Sequence, residues 1–66
     1  MNITLNGKPK QLAEHSTVLS LLQLIELADK RVAVEINGDI IPRSQHPSHL
    51  IVEGDQVEIV VAVGGG

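Results

Sequence analysis

Gln56-Val57-Glu58-Ile59-Val60-Val61-Ala62-Val63 places Val57, Ile59, Val61 and Val63 on one side of an extended chain and Gln56, Glu58, Val60 and Ala62 on the other. Such alternation is the period of a half-buried strand and not of a helix. Gly54-Asp55 marks a turn in front of it, and Gly64-Gly65-Gly66 follows with no linker between. Glycine costs backbone entropy in a strand and packs nothing, so the strand is expected to span 56–63.

The rest of the chain supplies partners for this strand. Ile3 and Leu5 alternate with Asn2, Thr4 and Asn6, and Asn6-Gly7 follows. Asn-Gly tolerates the positive φ of a type I′ hairpin turn at both positions. A second strand is expected over 10–13 with Leu12 inward, and Pro9 belongs at its start or on an edge because it has no N–H to give. Val32, Val34 and Ile36 share one face of a further strand. Asn37-Gly38 repeats the hairpin signal, and 39–41 returns as a short strand closed by Pro42. Residues 43–49 are polar, contain Pro47, and read as a loop or a single helical turn.

Between the first hairpin and Val32 lies the one helical pattern. Val18, Leu21, Leu22, Ile25 and Ala28 fall on one face at about 100° per residue, with Ser20, Gln23 and Glu26 roughly opposite. Ser16 and Thr17 can cap the free N–H groups of a helix start. Thr17 is the better placed, and the helix is expected over 18–28. Lys30 and Arg31 follow it, where positive charge suits the helix dipole. Leu19 and Leu27 flank the polar face, so the helix is more apolar than a thin core requires.

The order is therefore ββαβββ. One amphipathic helix over one face of a mixed sheet is the economical way to bury these stripes. The fold class is α+β, and the expected arrangement is the β-grasp, or ubiquitin-like, fold with the first and last strands central and parallel. Residues 1–63 form one domain and 64–66 a C-terminal glycine tail.

Composition narrows the rest. The chain has 66 residues, a net charge of −3, no Cys and no aromatic residue, so the core must be built from Val, Ile, Leu and Ala. Lys8, Lys10, Lys30, Arg31 and Arg43 are scattered, which argues against a nucleic-acid footprint of clustered basic residues. No run approaches the ~18 apolar residues of a membrane span, and no signal-peptide pattern follows Met1. The reading is a soluble, cytoplasmic protein. His46 and His49 are poor candidates for a metal site, because Pro47 disfavours the helix that would align them and no third ligand stands nearby.

No Ser-His-Asp or Cys-centred pattern suggests catalysis by this chain. What remains is the tail. Fully extended at ~3.3 Å per residue, three glycines reach roughly 10 Å, and without Cβ atoms they fit a narrow tunnel. A carboxylate at Gly66 is a poor electrophile until its oxygen is made a leaving group, as adenylation by ATP would do. A sulfur nucleophile attacking the acyl-adenylate would then leave a thiocarboxylate. Val60 and Ala62, apolar on the polar side of the last strand, are candidates for the surface that docks beside the tail. Leu19, Leu27 and Arg43 are further candidates. Asp39, Glu53, Asp55 and Glu58 read foremost as a solvated acidic rim.

Taken in order, these pieces resemble the ThiS-type sulfur carrier proteins of thiamin biosynthesis. The resemblance is carried by Met1-Asn2-Ile3 with Asn6-Gly7, Thr17-Val18 before Leu21-Leu22, and Val32-Ala33-Val34-Glu35-Ile36-Asn37. It continues through Ile41-Pro42-Arg43, Gly54-Asp55-Gln56-Val57-Glu58-Ile59-Val60 and Ala62-Val63-Gly64-Gly65-Gly66. No single piece is specific; the ordered set in so short a chain is. The family's helix often carries an acidic residue or Gln where this chain has Ser20 and Leu21.

The resemblance implies that Gly66 is adenylated by an adenylyltransferase similar to ubiquitin-activating enzymes. It implies that sulfur arrives from a cysteine persulfide and that thiazole synthase takes it from the Gly66 thiocarboxylate, with Gly64 and Gly65 giving access. The protein would be a co-substrate and not an enzyme, with no bound cofactor and ATP used by its partner. Two alternatives share the tail: a carrier like the small subunit of molybdopterin synthase, and a ubiquitin-like protein modifier; a third is a plain binding module whose glycine end has no function.

Overall fold

The computed structural model describes residues 1–62. Val63, expected to end the last strand, and the Gly64-Gly65-Gly66 tail lie outside the described residues. The elements are β1 (Asn2–Leu5), β2 (Lys8–Gln11), α1 (Val18–Leu24), β3 (Val32–Ile36), β4 (Asp39–Ile41), a 3-10 turn (Arg43–Gln45) and β5 (Gln56–Val61). They form one five-stranded sheet in the order β2-β1-β5-β3-β4. β5 is central, parallel to β1 and antiparallel to β3. The expected ββαβββ order and the central parallel pair are both present.

Both Asn-Gly turns have the backbone that their chemistry favours. Asn6 and Gly7 have φ of 50° and 80°, and Asn37 and Gly38 have 53° and 87°. β2 begins earlier than expected and ends at Gln11, so Pro9 lies within it, opposite Thr4. The sheet tolerates this because β2 is an edge strand, where a missing N–H can face outward. Leu12 follows the strand but is still buried.

The helix is shorter than its apolar pattern. It ends at Leu24, and Glu26 takes a left-handed φ of 63°. Leu27 N–H donates to Leu22 O at 2.8 Å and Glu26 N–H to Gln23 O at 3.2 Å. That pair of bonds is a Schellman stop, which satisfies the last carbonyls and reverses the chain. It turns Leu27 and Ala28 back onto the core. The apolar positions 25, 27 and 28 are thus served by a reversal and not by further helix. Lys30 falls six residues beyond the last helical residue, and no basic residue lies in the last turn, so the expected dipole contact is not made.

At the other end the expected cap is present. Thr17 Oγ1 accepts from Ser20 N–H at 3.1 Å, and Thr17 N–H donates to Ser20 Oγ at 2.8 Å. Two further N–H groups of the first turn, Val18 and Leu19, donate to His49 O and His46 O at 3.0 and 2.9 Å. The polar segment after β4 therefore helps seat the helix.

α1 and residues 46–51 cover one face of the sheet. Leu21, Val18, Ile51, Val34 and Val57 are completely buried between them. Each such side chain contributes about 1.5–3 kcal/mol relative to exposure. Among the described residues two polar side chains are buried, and both are satisfied. His46 lies 3.0 Å from Ile41 O through Nε2, and Asp55 accepts from Val52 N–H and Asn37 Nδ2 at 2.9 and 3.0 Å.

Candidate functional site

Register decides what surrounds the end of β5. Val32 pairs with Val61, Val34 with Ile59 and Ile36 with Val57. β5 therefore ends beside the start of β3, at the pole of the sheet away from the Asn37-Gly38 turn. Ala62 N–H donates to Arg31 O at 2.8 Å, so chain pairing continues one residue past the strand. Beyond that point lie Val63 and the candidate residues Gly64, Gly65 and Gly66, outside the described residues.

Alternation along β5 separates two environments. Val57 and Ile59 are buried under the helix. Gln56, Glu58, Val60 and Ala62 point to the other face and are exposed. Val60 keeps 63% of its surface exposed and stands opposite Ala33, also exposed. On the same face Glu58 stands opposite Glu35, and Glu35 opposite Ile40, which is 74% exposed. The segment after Ile41 does not cover this face: its Ile51 and His46 are buried on the helix side. Val60 and Ala62 thus sit on an open sheet face at the C-terminal end of β5.

The remaining candidates lie elsewhere. Leu19 is half-buried in the first turn of α1. Leu27 is half-buried in the Schellman stop and packs on the core. Both belong to the helix layer, across the sheet from Val60. Arg43 is exposed on the 3-10 turn after β4. Of the acidic residues, Asp55 is not rim but a buried turn acceptor. His49 lines a cleft of about 220 Å³ with Ile36, Ile41, Leu50, Val52 and Asp55. This cleft lies at the start of β5, the opposite pole from Ala62. Among the described residues no group of three or more His, Cys, Asp or Glu could hold a metal ion. No helix there is long and apolar enough to cross a membrane.

Sequence reading missed two things here. Asn6 and Asn37 do more than turn the chain. Asn6 Oδ1 accepts from Ile59 N–H and Asn37 Oδ1 from Gln56 N–H, at 2.8 and 2.9 Å, so both side chains hold β5. The Asn-Gly dipeptide alone carries no sign of that. The direct opposition of Glu35 and Glu58 was also unseen. Alternation puts each on the open face, but only the pairing register makes them neighbours.

Comparison with known proteins bears on this geometry. A family model described as the ThiS family matches residues 3–66. The sulfur carrier protein ThiS of Escherichia coli K12 is 33% identical over 66 residues, covering all of both chains. A thiazole synthase of Paramagnetospirillum magneticum is 35% identical over 66 residues; the match covers all of this chain but 20% of that protein. Among solved structures, the crystal structure of the thiamine biosynthesis protein ThiS from Geobacter metallireducens superposes with a TM-score of 0.85 at 38% identity, covering all of both chains.

Proposed function

This chain belongs to the ThiS family, and from that premise we propose that it is a sulfur carrier of thiamine biosynthesis whose reactive group is the Gly66 α-carboxylate. The adenylyltransferase partner transfers AMP from ATP to a carboxylate oxygen and releases pyrophosphate. The terminal sulfur of a cysteine persulfide then attacks the carbonyl carbon, the C–O bond to AMP breaks, and an acyl disulfide forms. A second thiol cleaves the S–S bond, leaving the thiocarboxylate on Gly66 and a disulfide on the donor side. Thiazole synthase receives that sulfur.

This chain contributes position and access, and the catalysis belongs to its partners. A preorganised carrier pays little entropy to deliver its end group. The central strand is held on both sides by ladder bonds and leads in sequence to three residues without side chains. Gly64 and Gly65 give access, and the open face bearing Val60 and Ala62 docks the domain. The observation that carries the proposal is the end-to-end likeness to a protein named a sulfur carrier, in a chain whose middle strand is followed in sequence by the glycines. The thiazole synthases that contain such a segment support that enzyme as the acceptor.

Intact-mass measurement tests this. The protein is incubated with the adenylyltransferase encoded in the same genome, ATP and a persulfide donor. The expected result is a mass gain equal to replacement of one oxygen by sulfur. An active adenylyltransferase that produces no gain would sink the proposal, and isopeptide adducts to lysines in a lysate would favour a protein modifier.

A further inference from the structure

The open sheet face carries a pair of like charges that, among the described residues, has no ion-pair partner. Glu35 on β3 and Glu58 on β5 are direct cross-strand partners. On one face of an antiparallel pair such side chains are within interaction range, and like charges there destabilise the sheet. Among the described residues the ion pair found is between the Met1 amino group and Glu14, at 3.9 Å. Neither Glu35 nor Glu58 has a cation beside it there.

Apolar side chains frame the pair. Ile40 extends the Glu35–Glu58 row on β4, and Ala33 and Val60 make the next row toward the end of β5. Ala62 continues that line to the last described residue. Ile40 and Val60 are largely exposed, although β-branched side chains gain from burial. Apolar rows around two unpaired carboxylates match one kind of surface: a basic side chain set among apolar ones.

We propose that this face docks on the thiazole synthase through an arginine or lysine inserted between Glu35 and Glu58, with Ile40, Ala33 and Val60 packing around it. This rests on the sulfur-carrier reading, which makes the end of β5 the delivered end and the adjoining face the one that must meet the acceptor. Arginine fits best, because its planar fork can bridge two carboxylates. Docking then relieves the repulsion that the free domain carries. Removing the charges should therefore stabilise the free protein and weaken the complex, opposite effects that a purely structural role would not produce.

The probe is the thiazole synthase encoded in the same genome, titrated with wild type, E35Q, E58Q and the double variant at low and high salt. The double variant is expected to bind on the order of tenfold more weakly at low salt, with the difference shrinking at high salt. Its melting temperature is expected to rise. Glu26→Gln removes the same charge from the helix layer and is expected to leave binding unchanged. Equal affinity of wild type and double variant, a matching loss in Glu26→Gln, a lower melting temperature, or no binding by wild type would each overturn the assignment. Sulfur loading of wild type, read by mass, reports the carrier function independently.

Discussion

Asn6 and Ile59 exchange two hydrogen bonds: Asn6 Oδ1 accepts from Ile59 N–H at 2.8 Å, and Asn6 Nδ2 donates to Ile59 O at 3.2 Å. The β1–β5 ladder of backbone pairs runs to Leu5 and Val57, and Asn6 N–H donates to Val57 O at 2.8 Å. The side chain then serves Ile59, two residues further along β5, where the hairpin has already turned the backbone of the neighbouring strand away.

Asn6→Gly keeps the positive φ of 50° but removes both side-chain bonds. Each net bond contributes about 0.5–1.5 kcal/mol, so the variant should lose roughly 1–3 kcal/mol, read as a lower urea midpoint at unchanged slope. Asn6→Asp should be at least as costly, because it turns an acceptor toward Ile59 O. A glycine variant as stable as wild type would show that the clamp contributes nothing.

Thr17→Ala removes the acceptor for Ser20 N–H and should cost about 1 kcal/mol. Thr17→Ser keeps the oxygen and should stay close to wild type. Thermal and chemical denaturation of the pair separates the cap from the lost methyl group. Equal losses in both variants would assign the effect to packing.

Leu21 and Leu24 test the face of α1. Leu21 is buried and Leu24 is 61% exposed. Leu21→Ala should cost about 2–5 kcal/mol, much of the stability available to a domain of this size. Leu24→Ala should fall within about 0.5 kcal/mol of wild type. If the two losses are comparable in denaturant titrations, the orientation of the helix is wrong.

Deleting Gly65-Gly66 should abolish sulfur loading in the intact-mass assay. The circular dichroism spectrum and melting temperature should stay unchanged, because the core and ladders described are made by residues 1–62. A large drop in melting temperature would mean that the tail has a structural duty.

Val60→Ser keeps a small side chain on an exposed strand position and should shift stability by less than ~1 kcal/mol. It should still slow sulfur transfer to thiazole synthase at limiting carrier. Transfer at the wild-type rate would remove Val60 from the docking surface.

The amino-acid sequence by itself determined the strand that leads to the glycines, both hairpin turns, the Thr17 cap and the ββαβββ order. These are local matters: side-chain period, the positive φ that Asn-Gly accepts, and an oxygen placed three residues before a free N–H. The family resemblance was also legible, because it rests on the order of short pieces. Tertiary structure decided where α1 stops, since the Schellman reversal at Glu26 is favoured by the burial it gives Leu27 and Ala28. It decided that Asn6 and Asn37 hold β5, that His46 is buried against Ile41 O, and that Glu35 faces Glu58. Each of these depends on which residues become neighbours across separate elements. Only the register of the folded sheet sets that, because a shift of one residue would send every side chain of a strand to the opposite face.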